Sequence, residues 1–261
     1  ILVVDRTKPH IVFETETFWG ISESTAAWSR QMQFPISTSD DEKPVSLSFT
    51  REKKNGSIWV EKITAMLSSD CLEIPGEGIY RIVLTATDAA GNQVIETRYL
   101  RVDTTAPVIS LPSETILARV TASGTDTLSG LDLDSWEWRW KQDGVWSEWI
   151  SGITTGGIPE GPLTIEFMVN DLAGNTASIS RQYTIDLSGP TVSYTTYGFA
   201  LDLLSIRSLQ IVDAAGSGIA KIEYSIDHGV YKILDNQAPF KTEYSIALSG
   251  FTEGKHSIRV L

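Results

Sequence analysis

The 261-residue sequence has one cysteine, Cys71. Neither an intrachain disulfide nor a cysteine-built metal site can therefore form. Histidine is almost as scarce: His10, His228 and His256 stand far apart and outside any catalytic motif. No stretch approaches the roughly 18 apolar residues of a membrane span. There is no basic stripe either. The 21 basic and 33 acidic residues give a net charge of −12, spread along the whole chain. That charge argues against nucleic acid as a partner, because nothing is placed to displace counterions from phosphates. It argues equally against docking on anionic lipid. A GxSxG elbow, an HExxH helix and a phosphate loop are all missing, and no histidine lies near the one cysteine in sequence. Nothing here points to an enzyme. Also lacking is any 3.6-residue apolar stripe longer than two turns, which removes the helical classes.

What the chain does have is repetition. Val4-Asp5-Arg6-Thr7-Lys8-Pro9-His10-Ile11 returns as Val102-Asp103-Thr104-Thr105-Ala106-Pro107-Val108-Ile109, and again as Ile185-Asp186-Leu187-Ser188-Gly189-Pro190-Thr191-Val192. The intervals are 98 residues from Pro9 to Pro107 and 83 from Pro107 to Pro190. A second marker, Asp88-Ala89-Ala90-Gly91-Asn92, recurs 83 residues later as Asp171-Leu172-Ala173-Gly174-Asn175. A third opens a strand-like run at Gly78, Gly161 and Gly254. Three markers in one order divide the chain into a leading fragment, 1–5, and units 6–102, 103–185 and 186–261.

Within each unit apolar and polar residues alternate. Tyr80, Ile82, Leu84 and Ala86 are one example; Leu163, Ile165, Phe167 and Val169 are another. Period two marks strands with one buried face. Asn55-Gly56, Pro75-Gly76, Asp143-Gly144 and His228-Gly229 supply turns at strand-length intervals. Ser and Thr make up roughly a fifth of the chain, which suits exposed strand faces. Units of this length with about seven short strands predict an all-β fold of immunoglobulin-like sandwiches, in tandem and end to end. The Asp-x-x-Gly-Asn segment should close the hairpin between the last two strands, and each Asp…Pro should lead into the next unit's first strand.

These residues resemble the bacterial Ig-like repeats of large secreted and surface-anchored proteins. The likeness rests on Ala86 to Asn92 followed by Asp103 to Pro107. It extends to Gly216-Ser217-Gly218-Ile219 and Ile222 to Gly229, then Ala238-Pro239-Phe240 and Gly254 to Ile258. The second unit has a tryptophan-rich form of the same hairpin, Trp138-Arg139-Trp140 through Val145-Trp146. The resemblance implies an extracellular or cell-surface, bacterial setting. It is specific to architecture, since such repeats serve as stalks, spacers and binding modules alike.

Ile1-Leu2-Val3-Val4 matches Tyr99-Leu100-Arg101-Val102, so the chain is expected to open inside the last strand of a preceding repeat. Gly78 and Gly161 each precede their hairpin aspartate by ten residues, and the same offset from Gly254 passes Leu261. The third unit is thus expected to be incomplete, stopping inside its penultimate strand.

Two candidate sites follow. Loops of a sandwich alternate between its two ends. Asp103, Asp171 and the loop holding Asp126, Asp132 and Asp134 should therefore meet at the first junction. Asp5, Asp88 and Asp40-Asp41-Glu42 are the equivalents in the first unit; Asp186 and Asp213 are those in the third. Converging carboxylates suit calcium, a hard cation that takes six to eight oxygens; each aspartate merely capping its own turn is the plainer alternative. Trp136, Trp138 and Trp140 should share one strand face, with Trp146 and Trp149 on the returning strand. Exposed indoles at that spacing could stack on sugar rings. Otherwise they fill the interior. The leading reading is a non-catalytic stalk whose partners are the neighbouring Ig-like repeats, with few free linker residues and about 30–40 Å added per unit. The alternative is a carbohydrate-binding accessory module that uses the tryptophan hairpin; the partners beyond the chain would be a glycan or a host or cell-surface protein.

Overall fold

The structure, a computed structural model, describes residues 4–40, 44–197, 204–213, 218–237, 240–241, 244–248 and 257–261. Several expectations lie outside the described residues: those on Ile1-Leu2-Val3, Asp41-Glu42, Gly216-Ser217, Ala238-Pro239 and Gly254 to His256. Val4 and Asp5 are described but belong to no strand. Among the described residues the only helical pieces are two three-residue 3-10 turns, Glu16–Phe18 and Leu133–Ser135. The fold is all-β: immunoglobulin-like sandwiches in tandem.

The first cluster of strands comprises β1 (His10–Phe13), β2 (Trp28–Ser29), β3 (Gln33–Ser39), β4 (Ser46–Asn55), β5 (Ile58–Met66), β6 (Cys71–Glu73), β7 (Gly78–Thr87) and β8 (Gln93–Val102). They form two sheets, β1-β3-β6 and β2-β8-β7-β4-β5. One core joins the sheets. Ile11, Phe13, Phe34, Ile36 and Leu72 from the smaller meet Leu47, Tyr80, Ile82, Leu84, Ala86, Leu100 and Val102 from the larger. The period-two pattern of β7 is what makes this possible, because alternate side chains leave opposite faces of a strand.

The second cluster comprises β9 (Val108–Ser110), β10 (Ile116–Leu117), β11 (Ser123–Thr125), β12 (Glu137–Gln142), β13 (Val145–Trp146), β14 (Ile150–Ser151), β15 (Gly161–Asn170) and β16 (Thr176–Ile185). Its main sheet runs β10-β16-β15-β12-β13, with β14 also on β12, and β9 pairs with β11. Ile109 of β9 shares a core with Ile165, Phe167 and Val169 of β15 and Tyr183 and Ile185 of β16. The last cluster has β17 (Thr191–Tyr197), β18 (Leu204–Val212), β19 (Ile222–Ile226), β20 (Lys232–Asp235), β21 (Tyr244–Leu248) and β22 (Ile258–Val260). These build β17-β18-β21 and β20-β19-β22 around Leu209, Ile211, Ile222 and Tyr244.

Turn chemistry follows the sequence with two adjustments. Asp143 and Gly144 both take positive φ, 50° and 85°, and link β12 to β13 tightly. In the third cluster it is Asp227 and His228 that take positive φ, 46° and 61°, one residue earlier than the expected His228-Gly229. In both Asp-x-x-Gly-Asn hairpins only the glycine is left-handed, Gly91 at 89° and Gly174 at 88°. The asparagine is there for its side-chain amide, not for its backbone.

Candidate functional site at the joint

The segment leaving β8 is held from the first residue onward. Asp103 is fully buried. Its N–H donates to the Ser29 carbonyl at 2.9 Å, which continues the parallel pairing of β2 with β8. Its Oδ1 accepts the Thr105 N–H at 3.0 Å, an Asx turn that stiffens the linker. Its Oδ2 reaches the next unit and accepts the Ser129 N–H at 2.9 Å. The same turn recurs at the other Asp…Pro segments, Thr7 N–H on Asp5 at 2.8 Å and Ser188 N–H on Asp186 at 3.2 Å.

The second unit grips the same linker through its hairpin. Asp171 is buried and accepts N–H groups from Ala173 and Asn175 on Oδ1, both at 2.8 Å, and the Asn175 side-chain amide on Oδ2 at 2.7 Å. That amide also donates to the Asp103 carbonyl at 2.9 Å. The hairpin motif is thus a turn whose asparagine reads the backbone of the incoming segment. Arg30 of the first unit completes the contact by donating to the Gly174 carbonyl at 3.1 Å.

One carboxylate oxygen from each of Asp103, Asp126 and Asp171 lies within 4.8 Å of the others. Asp5, Asp40 and Asp88 form an equivalent group in the first unit. Asp126 sits in the 126–130 loop, where its Oδ1 accepts N–H groups from Leu128 at 3.0 Å and Gly130 at 2.7 Å. Asp132 and Asp134 do not join this group. The bridge between Leu131 and Asp171, continued by the Asp132 N–H on the Asn170 carbonyl, starts the 3-10 turn at this point. The Asp132 carboxylate caps that turn by accepting the Asp134 N–H at 3.3 Å, and Asp134 is exposed. In the first unit, burial pushes the Asp88 carboxyl pKa up. Hydrogen bonds from the Asn92 side chain and from the N–H groups of Asn92, Ala90 and Gly91 outweigh that and hold it below the ordinary value.

The cation test on this donor set is mixed. Three carboxylates from three segments meet the charge requirement of a hard cation. Asp103 and Asp171 already have N–H donors on both oxygens, so most coordination would have to come from water.

Two glutamates at the joint were missed in the sequence. Glu77 Oε1 accepts the Thr104 N–H at 2.9 Å and the hydroxyls of Thr104 and Thr105, both at 2.6 Å. Glu160, 83 residues on, does the same for the following linker. Its Oε1 accepts N–H groups of Leu187 at 3.2 Å and Ser188 at 3.1 Å, and its Oε2 the Ser188 hydroxyl at 3.0 Å. The signal was present: a glutamate stands immediately before each marker glycine, at Glu77-Gly78, Glu160-Gly161 and Glu253-Gly254.

The tryptophan hairpin does not form an open platform. Trp136 and Trp138 are buried, and Trp140 packs half-buried against the same core. These three therefore share a face as expected, but it is the interior one. Gly124 makes room there, since a Cβ at that position would stand 3.0 Å from the Trp136 ring. Trp146 and Trp149 are half-buried and enclose the Arg139 guanidinium at 4.4 and 4.3 Å. Arg139 in turn pairs with Glu166 at 2.7 Å. The outer indoles thus have a cation already on one face, and Trp136 and Trp138, being buried, present no open face to a sugar ring.

Residues 140–187 match the sequence profile of a family described as a bacterial Ig-like domain. The matched stretch runs from Trp140 of β12 through β15, the Asp171 hairpin and β16 to Leu187. Over those residues the chain is similar to the bacterial Ig-like domain, in keeping with its tandem sandwich fold. No curated protein matches the chain. Among solved structures, the fibronectin(III)-like modules of Clostridium thermocellum CbhA align over 67 % of this chain and 94 % of theirs, at 13 % identity and a TM-score of 0.35. A tetra-tandem repeat from the extending region of a large adhesion protein aligns over 92 % of this chain and 65 % of its own length, at 19 % identity and a TM-score of 0.30. For a 1.5-MDa bacterial ice-binding adhesin the values are 83 %, 78 %, 14 % and 0.30. Identities and scores this low say nothing of what this chain binds. No helix among the described residues is long and apolar enough to cross a membrane.

Proposed function

We propose that this chain is a non-catalytic spacer, a stalk segment of a larger secreted or surface-anchored bacterial protein. Its partners in that role are the neighbouring Ig-like repeats of the same chain. The observation that carries this reading is the linker from Asp103 to Thr105. It is hydrogen-bonded by Ser29 and Glu77 on one side and by Ser129 and Asn175 on the other. A linker without free residues transmits orientation from one sandwich to the next, which is what a spacer needs and a flexible tether lacks. An antiserum raised against the purified chain tests the setting. Intact cells should be labelled and should lose the label on brief protease treatment. Labelling confined to permeabilised cells would overturn the reading.

Calcium is the cofactor this reading adds, at Asp103, Asp126 and Asp171. A site with so few unengaged oxygens belongs with the weak extracellular modules, Kd about 10⁻⁴–10⁻³ M. Melting in millimolar calcium against melting with chelator tests it. A rise with calcium supports the ion, and identical curves remove it while leaving the spacer intact.

A further inference from the structure

We propose that Glu77 and Glu160 are joint clamps: each unit holds, by one carboxylate, the first residues of the segment that leaves it, and so fixes the direction of the unit that follows. The inference rests on the spacer reading for its purpose, but its geometry stands apart from where the protein is located.

Three features support it. The first is recurrence at one register. Glu77 and Glu160 are 83 residues apart, as are their targets, Thr104 with Leu187 and Thr105 with Ser188. The interval is that of the hairpins, although the linkers differ in sequence. The second is placement. Each glutamate precedes a glycine of positive φ, Gly78 at 140° and Gly161 at 106°, and that glycine opens the penultimate strand directly opposite the end of the last. Gly78 faces Val102 and Gly161 faces Ile185 in the two registers. Only a residue just before that glycine stands beside the linker as it leaves the sheet, and glycine is the residue that takes such a φ without strain.

The third is chemistry. Each carboxylate meets three donors, N–H and hydroxyl, and both linkers place a short hydroxyl side chain at the same position, Thr105 or Ser188. Charge-assisted bonds of this kind are shorter and stronger than neutral ones. The hydroxyls of Thr104 and Thr105, with smaller help from the Thr104 N–H and the Lys53 charge, hold the Glu77 carboxyl below its usual pKa against the opposing effect of burial. The group is thus ionised at neutral pH and stays an acceptor. The other side of the linker is held by the unit being entered, through Ser129 and Asn175. Loss of the glutamate therefore removes three bonds to Thr104 and Thr105 from one side of the joint, where the Ser29 bond to Asp103 and the Arg30 bond to Gly174 remain, without removing any core residue.

Distance measurement between spin labels tests this on the full 261-residue chain. In a Cys71→Ser background, labels are placed at Thr97 on β8 and Ser178 on β16, both exposed. The parent should give one narrow distance distribution. Glu77→Ala should broaden it severalfold while both thermal transitions keep their midpoints. Glu160→Ala, at the other joint, should leave this distance unchanged. An unchanged width in Glu77→Ala overturns the proposal, as does equal broadening by Glu160→Ala. Should Glu77→Ala lower the first unit's midpoint, the paired change Thr104→Val with Thr105→Val decides. It leaves the glutamate in place and removes two of its donors. Broadening then supports the clamp, and an unchanged width rejects it.

Discussion

The first and second units share a hairpin framework but exchange two core residues across it. In the first, Tyr80 on β7 faces Leu100 on β8. In the second, Leu163 on β15 faces Tyr183 on β16. The positions correspond at the 83-residue interval, so tyrosine and leucine have changed strands and the volume between the sheets is kept. All four are buried. What changes is where the phenol goes. Tyr80 donates to the Gly76 carbonyl at 2.8 Å, in the loop before its own strand. Tyr183 donates to the Pro112 carbonyl at 3.1 Å, in the loop after β9, where Arg181 donates as well. A core is thus specified by volume and by the need to satisfy each buried hydroxyl, not by residue identity at each position.

The largest break in this comparison should come from the strand opposite. Trp138 faces Phe167 in the second unit, and Phe49 faces Leu84 at the matching place in the first. Trp138 is buried, whereas Phe49 only packs at the margin of its core. Trp138→Ala should therefore cost the second unit about 3–5 kcal/mol. Phe49→Ala should cost the first unit clearly less. Calorimetry that resolves the separate transitions would check both, and equal losses would contradict the burial difference.

The phenols should give a smaller and more discriminating effect. Tyr80→Phe leaves the Gly76 carbonyl without this donor and should cost about 1 kcal/mol. Tyr183→Phe should cost less, because Arg181 still serves Pro112. Chemical denaturation of each variant would measure the difference, and a reversed order would show that the hydroxyls do not anchor these loops.

Smallest is the pH effect at the first hairpin. The Asp88 carboxyl is held below its ordinary value in the fold. A depressed acid contributes stability that is complete above its unfolded pKa, about 4. That contribution is lost as pH falls through the lower folded value. The first unit's midpoint should thus decline on acidification below about pH 4, and Asp88→Asn should flatten that decline. An equally steep decline in the variant would assign it to other acids.

How much of the site was legible can be judged residue by residue. Asp103, Asp126 and Asp171 could be brought together on paper because sandwich loops alternate between two ends. Asp132 and Asp134 lie in the same loop but were misplaced, because one backbone bridge, Leu131 to Asp171, turns the chain into a capped 3-10 turn. Alternation placed Trp136, Trp138 and Trp140 on one face. It could not say which face, since period two is symmetric between inside and outside. Glu77 and Glu160 recur before the marker glycines, but that recurrence does not say what the carboxylates bind. Their partners lie 27 or 28 residues away.

By itself the sequence determined the class of fold and its punctuation. Period-two alternation, Asp-x-x-Gly-Asn hairpins and Asp…Pro segments are local properties, set by φ preferences and by side chains that reach their own backbone two to four residues away. The tertiary structure alone decided which face of β12 is the interior, which aspartates converge, and what grips the linkers. Each of those depends on groups distant in the chain that meet only after the sheets have packed, and no local preference encodes that meeting.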